Sequence, residues 1–148
     1  MANKKVGTSF SGGFAGVPRI VMKTSDYAGL SYKAKALLFE LAFQYRGKNN
    51  GDLTVALSVL RNRGWKREAT ISVAIKELLA ANLIIKSRDG VFENPGSRCS
   101  LYAITWQSLD ECPGKRLNVR PTTVPLRKFS MEGKALCKTP TTQIDANA

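Results

Sequence analysis

The chain has 148 residues, an apolar fraction of 43% and a formal charge of +12 with no histidine. That length fits one domain with tails, and the apolar content supports a core without approaching membrane composition. The missing histidine excludes the usual zinc finger, the Cys-His nucleophile and the Ser-His-Asp triad, while the excess of lysine and arginine favours nucleic acid over an acidic protein or a lipid surface.

No apolar run reaches the length of a transmembrane helix, and the N-terminus lacks the apolar stretch of a signal peptide. A cytoplasmic protein without a membrane partner is expected. Cys99, Cys112 and Cys137 show no CxxC spacing, so reduced and structurally incidental thiols are expected, with no metal and no cofactor.

Residues 1–17 are rich in glycine, serine and lysine and read as a flexible arm. Lys4 and Lys5 in it are suited to lying along phosphates, although a solvated end is the simpler reading. Pro18 to Met22 reads as a short extended apolar piece, with Ser25 and Asp26 as turn and capping residues. Ser31 then opens a strong helix whose core stripe is Ala34, Leu37, Leu38, Leu41, Ala42 and Tyr45, stopped by Gly47. Phe39 and Phe43 widen its apolar surface toward the N-terminal segment or another subunit. The run Lys48 to Asp52 is a polar turn, and Leu53 a brief strand.

From Leu53 to Leu83 two amphipathic segments flank a glycine-containing break. The first carries Val55, Leu57, Val59 and Leu60, with Thr54 as the expected N-cap and a stop near Gly64. The second places Ile71, Ala74, Ile75, Leu78 and Leu79 on one stripe, with Lys66, Ala69, Thr70, Val73, Lys76 and Glu77 on the opposite side. That outer side is slimmer than an ordinary surface helix requires. Taken alone, the pattern suits packing in a helical domain as well as it suits reading of a DNA major groove. Past Ala80, Leu83 to Arg88 forms a β-prone run ended by the turn signal Asp89-Gly90, and Ser100 to Trp106 forms another. The intervening VFENPGSRC is too long for a tight hairpin. Residues 107–148, with several prolines and the basic pairs Lys115-Arg116 and Arg127-Lys128, read as a basic, largely irregular tail.

Helix, short strand, helix, helix, strand, loop, strand is an order that resembles the winged helix-turn-helix domain over residues 18–106. More narrowly, NNGDL at 49–53, RGW at 63–65, KELLAANLI at 76–84 and SLYAITW at 100–106 resemble small winged-helix proteins encoded by bacterial phages, plasmids and integrated elements. The segment DECPGKRLNVRPTT at 110–123 looks like the short tail such proteins carry. The resemblance implies an α+β, mainly helical fold of three helices plus a C-terminal β-hairpin wing at about residues 88–98, with irregular tails at both ends. It implies that the third helix, at about Arg67 to Ala80, enters the major groove. Carried onto this chain, base contacts fall to Lys66, Arg67, Ala69, Thr70 and Val73, and phosphate contacts to Arg61, Arg63, Lys76, Lys86, Arg88 and Arg98. The chain departs from the pattern where a serine or threonine usually caps the third helix, offering Trp65, Lys66 and Arg67 instead.

The expected function is therefore non-catalytic: sequence-specific binding of double-stranded DNA by a transcriptional regulator of a phage or other mobile element. A replication or partition initiator on origin repeats, and a winged-helix module that binds protein, are the alternatives. Double-stranded DNA is the expected partner. A homodimer, and a host or phage protein held through the tails, remain open.

Overall fold

Two helices of equal length form the frame: α3, Tyr32–Gln44, and α5, Glu68–Ala80, each of 13 residues. Residues 11–92 and 96–130 are described by the computed structural model. The expected basic arm with Lys4 and Lys5, and the part of the tail beyond Ser130, lie outside the described residues. Around the frame stand α1 (Arg19–Met22), α2 (Ser25–Ala28), β1 (Leu53–Thr54), α4 (Leu57–Leu60) with a 3-10 turn at Arg61–Arg63, β2 (Ile84–Arg88) and β3 (Leu101–Ile104). The architecture is α+β, with a small three-stranded antiparallel sheet in the order β1-β3-β2.

Helix α3 forms where its spacing predicts. The Ser31 hydroxyl accepts from the Ala34 N–H at 3.2 Å, and Ala34, Leu37, Leu38, Leu41 and Ala42 are buried against α5, which contributes Ile71, Ala74 and Leu78. Ser31 also joins the two helices. Its N–H and its hydroxyl donate to the two carboxylate oxygens of Glu77, at 2.9 and 2.8 Å. The backbone bond first, and the hydroxyl bond second, hold the Glu77 carboxyl below the usual glutamate range. A carboxyl depressed by folding stabilises above its unfolded value and loses that contribution as pH falls through the folded one. Glu77→Gln is accordingly expected to be less stable at neutral pH, with its urea midpoint converging on that of the parent chain below the glutamate range. A gap that stays constant with pH would contradict this linkage.

The N-terminal expectation fails at two places. Residues 19–22 are helical, not extended, because the Pro18 carbonyl accepts from Val21 and Met22 at 3.0 and 3.1 Å and Val21 is fully buried. Residues 25–28 form a second single turn, capped by Thr24, whose hydroxyl accepts from the Tyr27 N–H at 3.2 Å. Pro18 to Met22 reads as extended from its apolar run, and docking of the fully buried Val21 outweighs that reading. Among the described residues five α-helices therefore stand where three were expected. Thr54 does not cap α4. It lies in β1, its hydroxyl accepts from the Ala56 N–H at 3.2 Å, and the N-cap position is Ala56. The Gln44 side chain completes the free edge of β1, donating to the Thr54 carbonyl at 2.8 Å and accepting from its N–H at 2.9 Å.

Strand β3 is buried at all four positions. Tyr102 and Ile104 join Leu53 and Ile84 in the core against the helices, while the alternation of the strand turns Leu101 and Ala103 to the other side. They are buried there too, because residues 107–130 do not leave the domain. Asp110 N–H donates to the Asn50 carbonyl, Asn118 N–H to Ser87, Thr122 N–H to Leu109 and Arg127 N–H to Thr105, all between 2.8 and 2.9 Å. The segment is irregular in secondary structure, as expected, but it is a strap over the sheet. Asp89-Gly90 is not where the chain reverses: Val91 and Arg98 exchange backbone bonds at 2.9 and 2.7 Å, extending the hairpin past β2.

Candidate nucleic-acid interface

The α4 to α5 connection turns on Gly64, at φ +95°, a left-handed conformation that disfavours any side chain. Trp65 follows, half-buried against the core, its N–H donating to the Leu60 carbonyl at 3.2 Å. Arg67 is the extended N-cap residue of α5 and makes no side-chain cap. The helix start expected near Arg67 is therefore present, without a serine or threonine cap.

With the start fixed at Glu68, the exposed face of α5 is Glu68, Ala69, Ser72, Val73, Lys76 and Ala80. Ala69 and Val73, expected to meet bases, lie on it. Val73 is 57% exposed. Thr70 is half-buried on the flank of the helix, as is Glu77, whose carboxylate is committed to Ser31. Ser72, absent from the expected contacts, takes the outward position instead. Its signal was its spacing, three residues past Ala69 and four before Lys76, which becomes readable only once the helix start is known. Lys66 and Arg67 stand exposed just before the first turn.

The expected phosphate-binding residues divide into two sets. Arg61, Lys76 and Arg98 are exposed, and their side chains have no hydrogen bond or ion pair among the described residues. The other three are engaged. Arg63 pairs with Glu40 and stacks its guanidinium 4.0 Å from the centre of the Phe43 ring. Lys86 pairs with Asp89 at 3.5 Å. Arg88 donates through Nε and Nη2 to the Cys99 carbonyl, at 3.2 and 2.7 Å, and through Nη1 to the Lys115 carbonyl at 2.9 Å. Its guanidinium joins both hairpin strands to the strap with three of its five N–H groups, which gives it a structural role.

Between the start of α4, the exposed side of α5 and the hairpin runs a cleft of about 430 Å³. Leu57, Ile75 and Tyr102 contribute apolar wall, and Ser58, Ser72 and Arg98 contribute hydroxyl and guanidinium donors. Of the cysteines, Cys99 is exposed and Cys112 half-buried, and Cys137 lies outside the described residues. Burial first, then the nearby Asp52 and Asp110 carboxylates, push the Cys112 thiol up, which disfavours a reactive thiolate. Among the described residues no helix is long and apolar enough to cross a membrane. No protein-family model, curated protein or solved structure matches the chain.

Proposed function

We propose that the chain binds double-stranded DNA in a sequence-specific way through a winged helix-turn-helix layout, with α3, α4 and α5 as its three helices and the β2–β3 hairpin as its wing. In this reading it occupies an operator of a phage or other mobile element, regulates transcription there and catalyses nothing. The observation that carries the reading is the slim face of α5, where Ala69, Ser72 and Val73 are exposed beside cations that no described residue neutralises. A major groove admits a helix whose outer side chains are short enough to let the backbone approach base edges. Ala69 and Val73 suit thymine methyls, Ser72 suits any base edge with a donor or acceptor, and Lys66 or Arg67 suits guanine. Arg61, Lys76 and Arg98 then hold phosphates, and the charge of +12 supplies the long-range attraction.

Selection of bound duplexes from a random pool, followed by gel shifts over a salt series, tests this. Lys76→Ala and Arg98→Ala are expected to weaken binding to every duplex, each flattening the slope of log K against log salt by about 0.9. Ser72→Ala and Val73→Ala are expected to shift base preference by about 1–3 kcal/mol at a single position. Arg88→Ala is expected to lower thermal stability and leave the slope unchanged. Equal losses on selected and random duplexes from both kinds of substitution would remove the assigned roles, and failure to retain any duplex at low salt would remove the function. Footprinting on the genome that encodes the chain separates a promoter site from the repeated sites of an origin.

A further inference from the structure

The most exposed large apolar side chain of the described residues is Phe92, at 98%. It stands one residue beyond Val91, which with Arg98 forms the outermost described backbone pair of the hairpin. Below that pair the hairpin is firmly built: Arg88 ties its two strands together through the Cys99 carbonyl, and the Gly90 N–H donates to the Ser100 hydroxyl at 3.0 Å. Phe92 and Arg98 both line the cleft whose opposite wall is α5. A phenylalanine held out in water on a braced hairpin costs apolar exposure without contributing to the core. It acquires a purpose if a partner receives it, and the cation beside it selects a partner that is negative and has apolar slots.

Resting on the DNA-binding reading above, we infer that Phe92 is a wedge that enters the minor groove next to the site read by α5, partly unstacks one base step and bends the duplex, with Arg98 holding a phosphate at the edge of that groove. Stacked bases offer an apolar slot flanked by phosphates, which fits an aromatic ring paired with a guanidinium. Insertion of apolar side chains from the minor groove opens a step and kinks DNA by roughly 20–90°. Flexible pyrimidine–purine steps open most easily, so the wedge adds a preference for TA or CA at a position that no side chain reads by hydrogen bonds.

The test uses the full chain and a duplex selected from the random pool, carrying 2-aminopurine at successive positions and a donor and acceptor dye at its ends. Binding is expected to brighten 2-aminopurine at one step outside the α5 site and to shorten the end-to-end distance. Phe92→Ala is expected to abolish both signals while the duplex stays bound, and Phe92→Leu to retain them in part. Arg98→Ala is expected to weaken binding and keep the brightening. A parent chain that binds without brightening or bending, or a Phe92→Ala protein that bends as the parent does, overturns the wedge and leaves the DNA reading standing. Retention of no duplex at low salt overturns both.

Discussion

Replacing Asn50 with alanine is expected to cost the fold about 3–5 kcal/mol, placing this one amide among the largest single contributions in the molecule. The residue is fully buried, and its side chain works entirely on backbone. Its Nδ2 donates to the Ile104 and Ser108 carbonyls at 3.0 and 2.9 Å, with a longer contact to Gln107 at 3.4 Å, and its Oδ1 accepts from the Ile104 N–H at 2.8 Å. The amide thereby closes the end of β3 and starts the strap. Alanine strands a buried N–H and two carbonyls with no replacement partners, and each stranded group costs about 1–3 kcal/mol. Asn50→Asp is expected to be no milder at neutral pH, because it keeps the acceptor for Ile104 but turns a second oxygen toward the carbonyls. Asn49→Ala is the control. Asn49 only caps the end of α3, accepting from Arg46 N–H at 2.7 Å and donating to the Gln44 carbonyl at 2.8 Å, so its loss is expected to cost about 1 kcal/mol. Urea unfolding followed by circular dichroism decides it: equal midpoints for the two alanine variants would refute the keystone role of Asn50.

Those adjacent asparagines illustrate what the sequence can and cannot disclose. Both sit in a polar run that reads as a turn, and the turn is real, but the burial of one depends on chain that arrives more than fifty residues later. Helices α3 and α5 were legible because their period and, for α3, the Ser31 cap are local properties. The single-turn helices α1 and α2 were not, since four residues carry too little periodicity and are fixed by what Val21 and Tyr27 dock against. Within the candidate interface, exposure of Ala69 and Val73 followed from spacing. The exchange of Thr70 for Ser72 depended on where α5 begins, and an uncapped Arg67 gives no sign of it. Arg88 shows the same limit for charge. A basic residue at the base of a hairpin invites a phosphate role, and only the positions of the Cys99 and Lys115 carbonyls reveal that its donors are engaged.

A chain ended at Trp106 is expected to show no cooperative unfolding transition, even though it keeps every helix and strand of the described residues. The strap supplies Leu109, which is 1% exposed, and is hydrogen-bonded to the backbone of Asn50, Ser87 and Thr105 around the sheet. Burial of a leucine is worth about 1.5–3 kcal/mol, so the apolar loss is a sizeable part of the total stability of an ordinary domain, about 5–15 kcal/mol. Polar losses add to it. Arg127 Nη1 donates to the carbonyls of Ala81 and Asn82 at 3.0 and 3.2 Å, closing the end of α5, and its Nη2 donates to Asp26 of α2. Its guanidinium also lies 4.5 Å from the centre of the Phe129 ring. One side chain thus joins α2, the end of α5 and the strap. Arg127→Ala is expected to cost about 2–4 kcal/mol, and Arg127→Lys to recover less than half of that, because a single ammonium cannot span the same fork. Thermal denaturation by circular dichroism reads both, and a chain ended at Trp106 that melts sharply near the parent temperature would show the strap to be dispensable. The outcome also governs how DNA binding is interpreted. Arg127 is basic and lies in a stretch whose composition reads as a basic, largely irregular tail, so a lost gel shift in Arg127→Ala invites assignment as a phosphate contact. A matching loss of thermal stability, with a salt slope unchanged in whatever protein remains folded, assigns Arg127 to the support of α5 instead.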